Sequence, residues 1–400
     1  MTAFKTLDDI DVAGKSVLVR ADLNLPMIDG KISDATRLKR LVPTLNELSD
    51  KGAKVVVMSH FGRPKGAVDA NFSLGPVAGE LARVLGRPVA FATDCIGEAA
   101  ERTVGGLKSG EVALLENLRF HPGEEANDDD FAARLAALGE IYVDDAFSVA
   151  HRAHASVDAL ARRLPSVMGR LMQAEIEALT AALENPVRPL VAIVGGAKIS
   201  TKIDLLSNIC KMVDCLVIGG AMANTFLAAR GIDIGASLSE DNMTGIARDI
   251  VANADVTGTE ILLPFDAVVA GEFKAGASCD TVTVDQVPAD AMILDIGPAS
   301  AEAVVERING AQTLIWNGPL GAFEAPPFDA GTNRVAQAAA ERTRAHGLLS
   351  IAGGGDTMAA LIHAGVVDDF SYISSAGGAF LEWLEGKELP GVAALRKTEM

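Results

Sequence analysis

The sequence predicts an α/β protein with two similar-sized domains, each a doubly wound parallel sheet, joined by a hinge helix. Three observations favour this class. Short β-branched apolar runs alternate with helical periodicities, the alternation occurs twice, and a stretch of good helix formers separates the two series. Runs that are apolar throughout and separated by helices are typical of parallel strands covered on both faces. The length of 400 residues fits two or three domains.

The first series predicts strands with helices between them. Leu38, Leu41, Leu45 and Leu48 share one face of a helix, and Pro43 within that segment predicts a late start or a bend. The predicted strands are Val17–Val19, Lys54–Met58, Val112–Leu115 and Ile141–Val143, and the other predicted helices begin at Pro76 and cover Asp128–Leu138.

The second series shows the same alternation of strands and helices, which is Rossmann-like. Its predicted strands are Leu190–Val194, Leu216–Ile218, Ile261–Leu263, Met292–Leu294, Thr313–Trp316, Leu348–Ile351 and Tyr372–Ile373. Its predicted helices include Thr201–Val213, Thr332–Arg344 and Asp356–His363.

A connecting helix is predicted over Leu171–Leu183, where Asn185-Pro186 ends a run of good helix formers. We therefore expect a first domain over residues 1–170, an interdomain helix over 171–185, a second domain over 186–383 and a C-terminal tail over 384–400.

The net charge of −18 argues against a general nucleic-acid or membrane-surface binder, because such a protein needs a basic face. No apolar run approaches the length of a membrane span, and the N-terminus carries no secretory signal pattern. The four cysteines have no paired spacing, so reduced thiols and a cytoplasmic location are expected.

In the first series, cationic side chains follow successive predicted strands. Because parallel strands present their carboxyl ends at one sheet edge, these groups are expected to form a polyanion pocket. The alternative is that each arginine is a surface residue or pairs with an acidic side chain; it is favoured for one arginine but not for four at successive strand ends. The pocket set is Arg37, His60, Arg63, Arg119 and Arg152.

In the second series, glycines and lysines follow the predicted strands. Glycines allow close approach of the backbone to a ligand, and helix N-termini present free N–H groups to phosphate; ordinary tight turns are the alternative. Asp356 follows a glycine run and is either a Mg²⁺ ligand or a helix N-cap. A phosphate-binding loop with the Gly-x-x-x-x-Gly-Lys pattern is excluded at Gly14-Lys15-Ser16, because Asp9 occupies the position of its first glycine.

Seven stretches, in this order along essentially the whole chain, resemble the phosphoglycerate kinase family of bacteria. They are RADLNLP from Arg20, SHFGRP from Ser59, ENLRF from Glu116, DDAFSVAHRAHAS from Asp144, VGGAKISTK from Val194, WNGPLGAFE from Trp316 and IAGGGDT from Ile351. Two small departures are Ala221, where the family commonly has glycine, and Ser374–Gly378, which reads Ser-Ser-Ala-Gly-Gly instead of Ser-Thr-Gly-Gly-Gly.

The resemblance implies a first domain that binds 3-phosphoglycerate or 1,3-bisphosphoglycerate and a second that binds Mg-ADP or Mg-ATP. The substrate positions it implies are Asp22, Leu23, Asn24, Arg37, His60, Phe61, Gly62, Arg63, Arg119 and Arg152. The nucleotide positions are Gly196, Ala197, Lys198, Lys202, Gly220, Asn317, Pro319, Glu324, Gly353, Gly354, Gly355, Asp356 and Thr357, with Asp356 on the metal and Glu324 on the ribose.

The reaction implied is reversible phosphoryl transfer between the acyl phosphate of 1,3-bisphosphoglycerate and Mg-ADP, in a monomer, as in glycolysis. It needs no side-chain nucleophile, so positioning and charge compensation carry the catalysis. The groups expected to stabilise the transferring phosphoryl are Arg37, Lys198, Gly377 and Gly378.

Two other classes fit two α/β domains. An NAD-dependent dehydrogenase is disfavoured because no Gly-x-Gly-x-x-Gly follows the first strand of either series. A periplasmic-type binding protein is disfavoured by the lack of a signal pattern.

We predict that hinge closure brings substrate and nucleotide together and excludes water. Small-angle scattering should show a smaller radius of gyration with both ligands than without them. An unchanged radius would contradict closure.

Overall fold

The computed structural model describes residues 4–28, 31–374 and 376–396. These residues form two compact units. The first contains the described residues up to Ile176 together with those from Glu388 onward, and the second is Glu177–Lys387.

The first unit is built on a parallel six-stranded sheet whose strand order is β5-β6-β4-β1-β7-β8. Its elements are β1 (Ser16–Arg20), β2 (Met27–Ile28), β3 (Lys31–Ile32), α1 (Thr36–Asp50), β4 (Lys54–Met58), α2 (Gly75–Leu85), β5 (Val89–Phe91), α3 (Gly97–Gly105), β6 (Val112–Leu114), α4 (Pro122–Glu125), α5 (Asp129–Ala136), β7 (Ile141–Asp144) and β8 (Ser166–Met168).

The core of this unit follows from its apolar periodicities. The four leucines of α1 are buried, which confirms the predicted helix face. Pro43 lies inside a helix that begins at Thr36, so the late start is wrong. Burial of one such leucine contributes about 1.5–3 kcal/mol.

Helix α6 (Arg170–Leu183) follows and contains the boundary between the units. Its first turn is held by Asp145, whose Oδ1 accepts hydrogen bonds from the backbone N–H of Leu171 at 2.8 Å and of Met172 at 3.0 Å. The loop after β7 is thereby tied to the start of this helix.

The second unit contains another parallel six-stranded sheet, ordered β11-β10-β9-β15-β16-β17. Its elements are β9 (Leu190–Val194), α7 (Ile203–Ile209), β10 (Cys215–Ile218), α8 (Ala221–Ala229), α9 (Thr244–Thr257), β11 (Glu260–Leu262), β12 (Asp266–Ala270), β13 (Asp280–Thr283), β14 (Met292–Ile296), α10 (Pro298–Gly310), β15 (Thr313–Asn317), α11 (Ala330–Arg344), β16 (Leu349–Gly353), α12 (Gly355–His363), β17 (Tyr372–Ser374) and α13 (Gly377–Leu384). A last helix, α14 (Pro390–Ala393), belongs to the first unit.

The strand order of the second sheet reverses between β9 and β15. The chain first adds β10 and β11 on one side of β9, and later adds β15, β16 and β17 on the other. Loops that leave neighbouring strands in opposite directions open a crevice at their carboxyl ends, which is where open α/β sheets bind ligands. The two predicted parallel sheets are therefore confirmed.

One predicted strand lies in a different sheet. Met292–Leu294 belongs to β14, which pairs antiparallel with β12 in a separate three-stranded sheet, β13-β12-β14. A short apolar run has the same appearance in parallel and antiparallel sheets, so its pattern did not distinguish them. The strands β2, β3, β5, β8, β12 and β13 were not predicted.

Candidate active site

The sheet of the first unit brings four polar loops to one edge. The strands β6, β4, β1 and β7 are neighbours in that order and all parallel, so the loops that follow them lie side by side. Arg20 at the end of β1 is in register with Met58 and Asp144 at the ends of the adjacent strands.

Arg37, in the first turn of α1, is held by the loop after β1. Its Nη1 donates to Asp22 Oδ2 at 3.0 Å and to the carbonyl oxygen of Asn24 at 2.9 Å. Ser148 Oγ donates to the same Asp22 oxygen at 2.6 Å. Within the described residues Nε and Nη2 of Arg37 make no hydrogen bond, so part of its donor fork is free for an anion.

The loops after β1 and β4 are hydrogen-bonded to each other. Asn24 Oδ1 accepts from the backbone N–H of Gly62 at 3.0 Å, and the N–H of Leu23 donates to Ser59 Oγ at 2.8 Å. Gly62 has a φ of 58°, and a Cβ there would lie 2.2 Å from the ring of Phe72. Only glycine fits this turn without strain.

Arg119 is almost fully buried beneath this turn. Its Nη1 donates to the carbonyl oxygen of Gly62 at 2.8 Å, and its Nε lies 3.0 Å from Glu125 Oε1. Asn117 fixes the adjoining backbone: it accepts from the N–H of Phe61 at 3.1 Å and donates to its carbonyl at 2.7 Å. Burial lowers the pKa of Arg119, yet a guanidinium stays charged.

Two of the predicted arginines have no carboxylate partner among the described residues. Arg63 is exposed, and Arg152 is half-buried with its Nε donating to His151 Nε2 at 3.3 Å. Ion pairing therefore accounts for Arg37 and Arg119 but not for these two. In a chain of net charge −18, unpaired arginines at one sheet edge favour an anionic ligand.

His60 is buried among cations. Burial lowers its pKa well below the usual value, and Arg20, Arg119, Arg152 and His154 lower it further. The imidazole is accordingly neutral at neutral pH, and His154 behaves in the same way, with a pKa of about 4.

The second unit places its glycine loops at the point where the strand order reverses. Gly195 follows β9, and its N–H donates to the carbonyl of Asn317 at the end of β15 at 2.9 Å. A Cβ on Gly195 would lie 1.9 Å from the carbonyl oxygen of Pro319. The two loops approach so closely that a side chain at Gly195 is excluded.

Lys202 lies under these loops. Its Nζ donates to the carbonyl of Gly195 and to Asn317 Oδ1, both at 2.6 Å. Burial lowers its pKa to about 8, while the nearby carboxylate of Asp356 acts in the opposite direction. The ammonium is therefore charged near neutral pH, but the oxygens that accept its hydrogen bonds belong to a carbonyl and an amide, which carry no negative charge.

The glycine run after β16 leads into α12 through a left-handed turn. Gly354 has a φ of 100° and is the N-cap, so the alternative of Asp356 as an N-cap is wrong. Asp356 is instead an exposed residue in the first helical turn. Thr357 Oγ1 accepts from the N–H of Gly318 at 2.7 Å, and Asn317 Nδ2 donates to the carbonyl of Gly353 at 2.7 Å.

A cavity of about 350 Å³ opens beside these loops within the second unit. Members of the predicted nucleotide set in its wall are Gly196, Ala197, Gly220, Pro319, Glu324 and Asp356. The rest of the wall is mainly apolar and includes Leu238, Phe273 and residues of β14, so it can receive a flat apolar ring system. Lys198 is exposed, and Gly377 and Gly378 begin α13 at the same sheet edge.

Comparisons with known proteins agree over the whole chain. The family model for phosphoglycerate kinase matches residues 7–387. The chain belongs to the phosphoglycerate kinase family.

Curated phosphoglycerate kinases from bacteria are close relatives. The protein of Mesorhizobium japonicum is 60% identical over 99% of this chain and 100% of its own, and that of Methylorubrum extorquens strain PA1 is 61% identical over 99% of both. A solved phosphoglycerate kinase from Coxiella burnetii has a TM-score of 0.92 and 41% identity, covering 98% of both chains. One from Pyrococcus horikoshii has a TM-score of 0.80 and 32% identity over the same shares.

As a phosphoglycerate kinase family member, the chain is a phosphotransferase of glycolysis that uses ATP and ADP as co-substrates. The dehydrogenase and binding-protein alternatives are therefore wrong. Among the described residues, no helix combines the length and apolarity that a membrane crossing needs.

Sequence reasoning missed several buried charged residues that lie beside the predicted site residues. Arg20 is fully buried and in contact with His60, and His154 lies in the same cluster. Asp295 of β14 lines the cavity of the second unit, and burial raises its pKa to about 8. The sequence signal for Arg20 was a charged residue at the end of an otherwise apolar strand.

The structure gives a position for one of the two departures from the family pattern. Ala221 begins α8 in the cavity wall, whereas Ser375, in the Ser-Ser-Ala stretch, lies outside the described residues.

Proposed function

We propose that the first unit binds the phosphoglycerate and the second binds the Mg-nucleotide, and that phosphoryl transfer between them needs no side-chain nucleophile. The observation that carries the assignment is the pair of unpaired arginines, Arg63 and Arg152, at the sheet edge that also presents Arg37. A phosphate and a carboxylate are the groups that planar guanidinium forks bind best.

On the substrate side, the free fork of Arg37 offers donors to the carboxyl or acyl phosphate end. Its orientation is set by Asp22, which is itself held by Ser148. Arg119 supplies charge from beneath, and its contact with the Gly62 carbonyl holds the turn that precedes Arg63.

On the nucleotide side, the cavity suits an adenine ring and the glycine loops suit phosphates. Glu324 in the cavity wall is an acceptor for ribose hydroxyls, and Lys202 lies under the loops as a point charge for phosphate. The N-terminus of α12 presents free N–H groups beyond Gly354.

Asp356 suits a magnesium ion that accompanies the nucleotide. Its carboxylate is exposed in the cavity wall, and Mg²⁺ is usually held by one or two carboxylates together with water and phosphate oxygens. When bound, the ion neutralises charge on the nucleotide phosphates.

The transferring phosphoryl carries charge on its three equatorial oxygens, and donors aimed at them lower the barrier. We assign this role to Arg37, Lys198 and the N–H groups that begin α13 at Gly377 and Gly378. The cytoplasmic location and the monomeric state stay predictions of the sequence.

A coupled assay tests the reaction. With ATP, Mg²⁺ and 3-phosphoglycerate the protein should form 1,3-bisphosphoglycerate, which added glyceraldehyde-phosphate dehydrogenase reduces with NADH. The rate of NADH oxidation should be proportional to the concentration of the protein. Omission of 3-phosphoglycerate is the control, and equal rates with and without it would contradict the proposal.

Arg37→Ala should lower kcat by about 10³-fold or more while changing the KM for 3-phosphoglycerate much less, because the guanidinium is assigned to the transition state. Arg102→Ala, which removes an exposed arginine paired with Glu98, is the matched control and should leave both parameters unchanged. A loss confined to KM would make Arg37 a binding residue only.

Lys202 should make ADP affinity pH-dependent. As pH rises through about 8 the free protein loses the Nζ proton, so ADP binding must take a proton up and the affinity should fall toward tenfold per pH unit. Titration calorimetry in two buffers of different ionisation enthalpy measures that uptake. Lys202→Gln should bind ADP more weakly but without this slope; an unchanged slope would assign the titration elsewhere.

A further inference from the structure

A buried chain of polar groups lies beneath the cationic edge of the first unit. It runs from Glu124 in α4 through Ser156 and Arg20 to His60, and all four side chains are buried. Only His60 belongs to the predicted substrate set, so the role of the other three is open.

Glu124 is the acidic end of this chain. Both of its carboxylate oxygens accept from Ser156: Oε1 from the hydroxyl at 2.6 Å and Oε2 from the backbone N–H at 2.9 Å. Burial raises the pKa of Glu124, whereas Arg20 and the two bonds from Ser156 lower it. A buried carboxyl with both oxygens used as acceptors is suited to the ionised form.

The hydroxyl of Ser156 connects the carboxylate to Arg20. Because this hydroxyl donates its proton to Glu124, its lone pairs are left to accept from Arg20 Nε, which lies 2.8 Å away. Tyr142 also donates its hydroxyl to the Ser156 carbonyl at 2.8 Å, which fixes the serine backbone. The direction of every bond in this segment is therefore determined.

The last bond determines the tautomer of His60. Arg20 Nη2 lies 3.2 Å from His60 Nδ1, and a guanidinium has only donors. Nδ1 must therefore be the acceptor, and the single proton of a neutral imidazole must be on Nε2.

We propose that Glu124, acting through Ser156 and Arg20, is a positioning residue that holds His60 neutral and protonated on Nε2, as a hydrogen-bond donor to the anionic substrate. The proposal rests on the assignment of phosphoglycerate to the first unit. A donor without charge suits this place: the groups that face His60 are Arg20 from β1, Arg119 after β6, and Arg152 and His154 after β7, and a further cation would be repelled.

The wrong tautomer would present a lone pair to an anion, which is repulsive. If the chain of bonds is broken at Ser156, Arg20 loses its anchor at Nε and His60 is free to place its proton on either nitrogen. The expected result is weaker substrate binding and a mixed tautomer, with no effect on nucleotide binding.

Nuclear magnetic resonance of the full chain tests the tautomer directly. The sequence contains six histidines, so ¹⁵N-histidine labelling gives few signals, and His60→Gln assigns the one that disappears. In long-range ¹H–¹⁵N spectra between pH 6 and 8, His60 should show the Nε2–H pattern without titration. An Nδ1–H pattern or a titration in this range would overturn the proposal.

Two variants test the chain of bonds. Ser156→Ala and Glu124→Gln should each give a mixed-tautomer signal for His60 and raise the KM for 3-phosphoglycerate by about tenfold, with the KM for ATP unchanged. Both side chains are fully buried, so either substitution can prevent folding, and two variants keep the test open if one fails to fold. A thermal melt shows which variants are folded.

The matched control is Ser300→Ala in the second unit. Ser300 is also buried, and its hydroxyl donates to Oδ1 of the buried Asp266 carboxylate, as the hydroxyl of Ser156 does to Glu124. No histidine among the described residues is hydrogen-bonded to this second pair. This control should leave the His60 spectrum and the KM for 3-phosphoglycerate unchanged.

If a folded Ser156→Ala or Glu124→Gln protein keeps both the wild-type His60 spectrum and the wild-type KM, the positioning role is wrong. The proposed function is tested separately by the coupled assay of the wild-type protein, because the tautomer is measured without any substrate.

Discussion

Parallel pairing is the constraint on which the rest of this structure depends. In each six-stranded sheet, all carboxyl ends face one edge, so residues far apart in sequence become neighbours whenever their strands are adjacent. Asp22 and Ser148 share a hydrogen bond for this reason, since β1 and β7 are paired. The same constraint joins Lys202 to Asn317 in the second unit, where β9 pairs with β15.

The two units place their cationic charge in different surroundings. The first collects guanidinium groups, and it lowers the cost of doing so with a fully buried carboxylate, Glu124, and with a histidine that stays neutral. The second relies on close backbone approach, as at Gly195, and on one buried ammonium. Planar guanidinium groups suit the phosphate and carboxylate of the phosphoglycerate proposed for the first unit, whereas bare backbone N–H groups suit the row of phosphates of the nucleotide proposed for the second.

Much of the fold could be predicted from the sequence, because strand runs such as Leu190–Val194 are apolar throughout and helix faces such as that of α1 have a clear period. The positions of the strand-end loops followed from these two patterns. Met292–Leu294 was placed in the wrong sheet, since pairing direction depends on distant partners and not on a local pattern. The role of Arg20 could not be predicted, because it depends on contacts with Ser156 and His60, which are 136 and 40 residues away in the sequence.

These differences give the two units different responses to pH. Arginine stays protonated throughout the physiological range, and burial among cations holds the pKa of His60 well below its usual value, so the cationic charge at this edge of the first unit is constant there. Lys202 differs, because burial brings its pKa to about 8 and no carboxylate contacts its Nζ directly among the described residues. The cationic charge that changes just above neutrality is thus that of Lys202, beneath the glycine loops of the second unit.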